Sequence, residues 1–188
     1  MKKGLIIVVA IVAVIAILGG SLVSSYNGLV DKQANVENAD AQIQVQLQRR
    51  ADLIPNLVNT VKAYAAHEED VYTALAEARA KLNSASNPEE YQEATDSFDS
   101  ALSRLLIVVE NYPELKADKN FVALQDELSG TENRLSVARK DYNDIATEYN
   151  ATIKKFPTVI FAGMFGFEKV DLFEASTESQ TVPTVNFD

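Results

Sequence analysis

Apolar residues recur along this chain every seven positions or at alternating steps of three and four, spacings that place side chains on one face of an α-helix. Four such stripes follow one another. The first runs through Leu29, Val36 and Ile43, and the second through Leu57, Val61, Tyr64, Val71, Leu75, Ala78 and Leu82. The third runs through Tyr91, Ala94, Phe98, Ala101, Leu105, Val108 and Tyr112, and the fourth through Phe121, Leu124, Leu128, Thr131, Leu135, Ala138, Tyr142, Ile145, Tyr149 and Ile153. The pattern therefore predicts four amphipathic helices.

The boundary between the first two stripes falls near Pro55. A proline costs about 3 kcal/mol inside a helix but little at its first position. We therefore predict a corner, with the second helix beginning at Pro55. Asp52 would then lie close to the free amides of the second helix, and Arg49 and Arg50 close to the free carbonyls that end the first. The alternative is a kink within one long helix.

The other boundaries have clearer signals. Asn87-Pro88-Glu89-Glu90 combines a side-chain cap, a proline at the first position and a glutamate three residues after the cap, so a third helix begins there. Pro113 ends that helix, and Phe156-Pro157 ends the fourth. Helices joined by short connections favour an antiparallel up-and-down four-helix bundle. We predict this bundle for residues 26–157 of an all-α protein.

The N-terminus has a different pattern, since no residue between Lys3 and Asp31 is charged. About 20 apolar residues suffice to cross a bilayer, so residues 1–25 are predicted to be a transmembrane anchor. A cleaved signal peptide is the alternative. By the positive-inside rule, Lys2 and Lys3 predict a cytoplasmic N-terminus with the bundle outside the inner membrane.

Residues 158–173 form an apolar segment that contains glycine and is too short to span a bilayer. If the fourth helix returns to the membrane, this segment is membrane-proximal, either in the headgroup region or packed under the open end of the bundle. Tyr142-Asn143 and Tyr149-Asn150 precede it and are interpreted as interfacial side chains completing a core layer. The small, polar tail, residues 174–188, is predicted to be disordered.

Charge and composition narrow the function. A net charge of −10 and a pI near 4.6 argue against nucleic-acid binding, which needs a basic face to neutralise phosphates. Without cysteine there are no disulfides or thiolate metal sites. The single histidine, His67, has valine at position 71 where a zincin needs a second histidine. Since no phosphate loop or nucleophile elbow is present either, we expect a protein that is not an enzyme and has no cofactor.

Two carboxylates fall on stripes that otherwise face the core, Asp40 in the first helix and Glu68 in the second. Counted from a corner at Pro55, they would lie at similar heights, and the same count on the fourth helix reaches Glu132. Buried charges need partners or metals. The sequence therefore suggests a polar core layer that pairs with Arg134 or Arg139 or reaches solvent, with a bound divalent cation as the alternative.

A second candidate site lies at the end of the bundle predicted to be farthest from the membrane. Polar side chains there would surround Pro55 and Pro113 on rigid helix ends. The candidate partner-binding residues are Arg49, Arg50, Asp52, Asn56, Lys116 and Asn120.

Several of these stretches resemble the LemA family. They are Arg49-Arg50-x-Asp52-Leu53-Ile54-Pro55-Asn56-Leu57-Val58, Glu110-x-Tyr112-Pro113-x-Leu115-Lys116-Ala117, Thr131-Glu132-Asn133-Arg134 and Ala138-Arg139-x-x-Tyr142-Asn143. The similarity covers roughly Tyr26 to Phe173. It implies a membrane-anchored, mostly helical protein, in a family whose biochemical role is poorly defined, and it suggests membrane-associated proteases as partners.

Three hypotheses follow. The first is a non-enzymatic scaffold or adaptor of the bacterial envelope, held in the bilayer by its N-terminal helix and bound to another envelope protein. The second is a cation-binding bundle or metal-dependent enzyme that uses Asp40, Glu68 and Glu132. The third is a membrane-shaping protein that acts through the anchor and residues 161–167.

Overall fold

The computed structural model describes residues 2–174, most of which are helical, with no strand among them. The all-α prediction, with one long apolar N-terminal helix and a helical bundle, is confirmed. The longer helices are α1 (Lys2–Lys62), α2 (Glu69–Ser84), α3 (Pro88–Val109) and α5 (Lys119–Lys154). Two short helices are α4 (Pro113–Lys116) and α6 (Val159–Ala162), and a 3-10 turn covers Gly163–Phe165. The tail predicted to be disordered lies, apart from its first residue, outside the described residues.

The predicted corner at Pro55 is wrong, because α1 continues through this proline to Lys62. Ala51, Ile54 and Leu57 on either side of it are buried. Tertiary burial of this stretch offsets the cost of the missing hydrogen bond, so the alternative of one long helix is correct. The chain turns instead between Lys62 and Glu69, and α2 is consequently short.

The chain divides into two compact units, which are described separately. Among the described residues, unit 1 contains residues 2–40 and 144–170, and unit 2 contains residues 41–143 and 171–174. Helices α1 and α5 each contribute residues to both units. Helices α2, α3 and α4 belong to unit 2 alone.

The core of unit 2 comes from the predicted stripes. Ile43, Leu57, Leu75, Phe98 and Leu105 are fully buried. Their burial supplies the apolar contacts that short helices such as α2 need in order to be stable.

The predicted start of α3 is confirmed. The Asn87 side chain accepts a hydrogen bond of 2.9 Å from the Glu90 amide. The Glu90 carboxylate in turn accepts bonds from the Ser86 amide (2.8 Å) and hydroxyl (2.9 Å). These bonds from Ser86 lower the pKa of Glu90. The helix start is therefore fixed by reciprocal side-chain bonds to its free amides.

In unit 1, the first half of α1, the end of α5 and the α6 region are held together by several contacts. The Tyr26 ring lies 5.1 Å from that of Phe165 and 5.6 Å from that of Phe167. Lys32 donates to Glu148 at 2.6 Å, and this bond lowers the pKa of Glu148. These contacts connect the residues that follow the apolar stretch of α1 to the last turns of α5 and to the chain after α5.

Candidate functional site

The most buried charged side chain described is Arg50, which is 2% exposed. Its Nη2 donates to Asp99 Oδ1 at 2.7 Å, and its Nη1 lies 2.6 Å from Glu132 Oε2 in a close ion pair. The guanidinium carbon stands 4.4 Å from the centre of the Phe98 ring. Arg50 therefore joins α1, α3 and α5 in the middle of unit 2.

The two carboxylates of this cluster remain partly hydrated. Asp99 and Glu132 keep 50% and 42% of their side-chain surface exposed, whereas the arginine keeps 2%. Burying the cation is tolerable because two opposite charges and an aromatic face surround it. The cluster of Arg50, Asp99 and Glu132 can hold α1, α3 and α5 in register, and this structural role requires no ligand.

A second arginine, Arg139 on α5, reaches the same helix. Its Nη2 donates to Thr95 Oγ1 at 2.6 Å, and the Thr95 hydroxyl donates to the Tyr91 carbonyl at 2.8 Å. Burial lowers the pKa of Arg139, while Glu132 acts in the opposite direction. Thr95 and Asp99 are one turn apart on α3, so the two arginines bind successive turns of one helix.

The candidate partner-binding residues do not form one cluster. Arg50 is buried and is thereby removed from any contact surface. Arg49, Asp52 and Asn56 are exposed along α1, with Arg49 about 20 Å before the helix end at Lys62. These three residues therefore lie along the side of α1 rather than at its C-terminal end.

The other two candidates, Lys116 and Asn120, are exposed where the chain does turn. Asp118 accepts bonds from the backbone amides of Asn120 (2.8 Å) and Phe121 (3.0 Å), which caps α5. It also accepts a bond of 3.1 Å from the Tyr64 hydroxyl in the α1–α2 connection. These bonds, the Phe121 amide first, lower the pKa of Asp118, and the bond to Asp118 raises the pKa of Tyr64.

The α1–α2 connection is braced from inside as well. The buried Tyr72 hydroxyl donates to the Ala65 carbonyl at 2.5 Å, and the Lys62 ammonium lies 4.9 Å from the centre of the Tyr72 ring. Leu115 of α4 is fully buried. Residues 63–68 and 113–120 thus form a fixed polar surface, which we call the tip platform.

The predicted layer of Asp40, Glu68 and Glu132 is not built as the sequence suggested. Its equal heights required a turn at Pro55, and α1 does not turn there. Asp40 belongs to unit 1, Glu68 immediately precedes α2, and Glu132 pairs with Arg50. Within residues 2–174, no group of three or more histidine, aspartate or glutamate side chains could hold a metal ion.

The tyrosine–asparagine pairs have a role that the sequence did not reveal. In unit 2, the Asn143 side chain donates to the Phe173 carbonyl and accepts from the Phe173 amide, both at 2.9 Å. The Tyr142 hydroxyl donates to the Asp171 carbonyl at 2.9 Å. The Phe173 ring stacks 6.1 Å from that of Tyr91. Residues 171–173 are therefore held to α5 through their backbone.

Unit 1 contains the same arrangement. The Asn150 side chain donates to the Val170 carbonyl at 2.8 Å and accepts from its amide at 3.0 Å. A side-chain amide that pairs with both polar groups of one residue satisfies backbone that has no helix or strand partner. The recurrence of Tyr-Asn after seven residues was the available signal.

Among the described residues, one helix is long and apolar enough to cross a membrane, Gly4–Lys62. The most apolar stretch of this helix is entirely unburied in the structure. This exposure distinguishes it from the core helix of a soluble protein.

Comparison of this sequence with known protein families identifies a matching family. The sequence model of the LemA family matches residues 39–187, most of the chain. The chain belongs to the LemA family. The resemblance noted in its motifs is therefore confirmed.

Three relatives illustrate the range of this similarity. Protein LemA of Metamycoplasma hominis is 29% identical over 80% of this chain and 69% of its own length. Magnetosome protein MamQ 2 of Paramagnetospirillum magneticum is 24% identical over 94% of this chain and 74% of its own. Magnetosome protein MamQ of Magnetospirillum gryphiswaldense is 23% identical with the same coverage. This LemA-family chain is similar to all three across both of its units.

Proposed function

We propose that this LemA-family protein is a non-enzymatic scaffold or adaptor of the bacterial envelope. Its N-terminal helix holds it in the inner membrane, and its tip platform binds another envelope protein. The observation that carries the proposal is the bracing of this platform, where Tyr64 bonds to Asp118 and Tyr72 bonds to Ala65. A fixed polar surface binds a partner without the entropy cost of ordering a loop.

The internal charges support a structural role for the rest of unit 2. Arg50 and Arg139 both bind groups on α3, so their cationic heads are engaged within the bundle. The exposed residues of the platform, including His67, Lys116 and Asn120, are left to face a partner. A membrane-associated protease is the partner class that the family resemblance suggests.

Site-specific photo-crosslinking tests this proposal. A benzoylphenylalanine at His67 or Lys116 of the full chain, in native membranes, should give a discrete crosslinked protein. The matched control is Glu89, which is also exposed but lies near the start of α3, about 30 Å from the C-terminal end of that helix. Crosslinks of equal yield from Glu89, or none from the platform, would refute a partner site there.

The proposed orientation places the N-terminus in the cytoplasm and unit 2 outside. The chain has no cysteine, so an exposed position such as Glu77 becomes its single thiol after a Glu77→Cys substitution. A membrane-impermeant maleimide should label this thiol in intact spheroplasts. Labelling only after lysis would contradict the orientation.

A further inference from the structure

The chain that follows α5 exposes an unusual concentration of large apolar side chains. Phe156 and Met164 are each 81% exposed, Ile160 is 62% exposed and Phe165 is 57% exposed. These four residues, which we call the apolar surface, fall within ten positions of one another in unit 1. Contiguous exposed apolar groups mark a site of interaction with a protein, a ligand or a membrane.

The segment that carries this surface is folded. Phe161, Ala162 and Phe167 are buried, and the Phe161 and Phe165 rings lie 6.3 Å apart. Gly166 adopts a φ of 80°, a conformation that side chains disfavour, and its amide bonds to the Gly163 carbonyl. The exposed side chains therefore project from a turn that is packed on its other face.

The position of this turn indicates the occupant. The Phe165 ring contacts the ring of Tyr26. Tyr26 lies only three residues after Val23, the residue at which the exposed apolar stretch of α1 ends. Tyrosine and other aromatic residues favour the depth at which a membrane helix leaves the hydrocarbon. Within unit 1, the apolar surface thus lies beside the end of the candidate membrane span.

Charge supports the same occupant. Between Ala151 and Phe167 the only charged residues are Lys154 and Lys155, although the whole chain carries a net charge of −10. A local basic pair next to exposed apolar groups is the combination that binds anionic lipid at a membrane surface.

We propose that the apolar surface is a second lipid-contacting site, which inserts among the headgroups beside the N-terminal helix. Phe156, Ile160, Met164 and Phe165 enter the boundary between headgroups and acyl chains, and Lys154 and Lys155 face lipid phosphates. The site thereby fixes unit 1 against the bilayer at two points. It acts independently of any protein bound at the tip platform.

The test uses the full chain, which lacks cysteine, in vesicles of phosphatidylcholine and phosphatidylglycerol. Met164→Cys carries an environment-sensitive NBD label, and Ile107→Cys is the control, since Ile107 is a large apolar residue that is 65% exposed in unit 2. We expect blue-shifted NBD emission at position 164, with strong quenching by lipids that carry a spin label near the headgroup. Position 107 should show neither effect.

Two results would overturn the proposal. The first is emission and quenching at position 164 equal to those at position 107. The second is a blue shift at position 164 that lipid quenchers do not affect and that disappears when the protein is diluted in lipid. Such a result would assign the apolar surface to contact with a second copy of the chain. Ile160→Cys provides an independent position, so a folding defect in one variant does not decide the result.

Discussion

Replacing Arg50 with alanine tests whether the buried arginine holds unit 2 together. The substitution removes the bond to Asp99, the ion pair with Glu132 and the contact with the Phe98 ring. Breaking a buried ion pair costs about 3–5 kcal/mol when the remaining charge is left buried. Here both carboxylates are roughly half exposed, so water replaces the arginine and the loss is smaller.

We therefore expect Arg50→Ala to lower the free energy of unfolding by about 2–4 kcal/mol, mainly through the cavity left by a large buried side chain. Arg50→Met fills most of that volume without a charge. Its cost should stay within about 1 kcal/mol of the wild type, because the exposed carboxylates do not need the cation.

The measurement is urea unfolding of the full chain in detergent, followed by circular dichroism at 222 nm. Arg49→Ala is the matched control, since Arg49 is the adjacent arginine and is exposed. Its effect should stay below about 0.5 kcal/mol. Equal losses for Arg49→Ala and Arg50→Ala would show that the buried Arg50 side chain does not stabilise unit 2. A loss for Arg50→Met as large as for Arg50→Ala would show that charge, rather than packing, stabilises the bundle.

Two further predictions concern Asp118 and Asn143. The pKa of Asp118 is lowered in the folded state, so its contribution to stability is present above its ordinary pKa and is lost as the pH falls through the lowered value. Acid titration of Asp118→Asn should therefore show a shallower loss of stability than the wild type, and identical acid profiles would contradict the cap. Asn143→Leu should release Phe173 from α5 and accelerate amide hydrogen exchange at Phe173, while exchange at Phe98 stays unchanged.

The helix boundaries that carry local sequence signals were predictable from the sequence. Asn87 and Pro88 fix the start of α3 because the cap and the proline act within a single turn. Pro55 misled the same reasoning, since the decisive term is the burial of Ala51 and Leu57 on each side of it. Such burial depends on tertiary packing, which a local rule does not contain.

The candidate site was less predictable. Arg50 falls at the helical spacing of Leu47, Ile54 and Leu57, and this spacing was an available but unused signal of an inward position. Its charge suggested the surface, because the partners that make its burial tolerable lie on other helices. The target of Asn143 lies 30 residues away in chain without helical or strand periodicity, so no pattern could identify it.

The direct test of whether the N-terminal helix anchors this bundle in the membrane is alkaline carbonate extraction of native membranes. The intact mass of the recovered protein is then measured by mass spectrometry. We expect the protein to stay in the pellet and to retain residues 1–25, because the run from Gly4 to Val30 carries no charge. A soluble species that begins near Ser24 would contradict the anchor and show that the apolar stretch is a cleaved signal peptide.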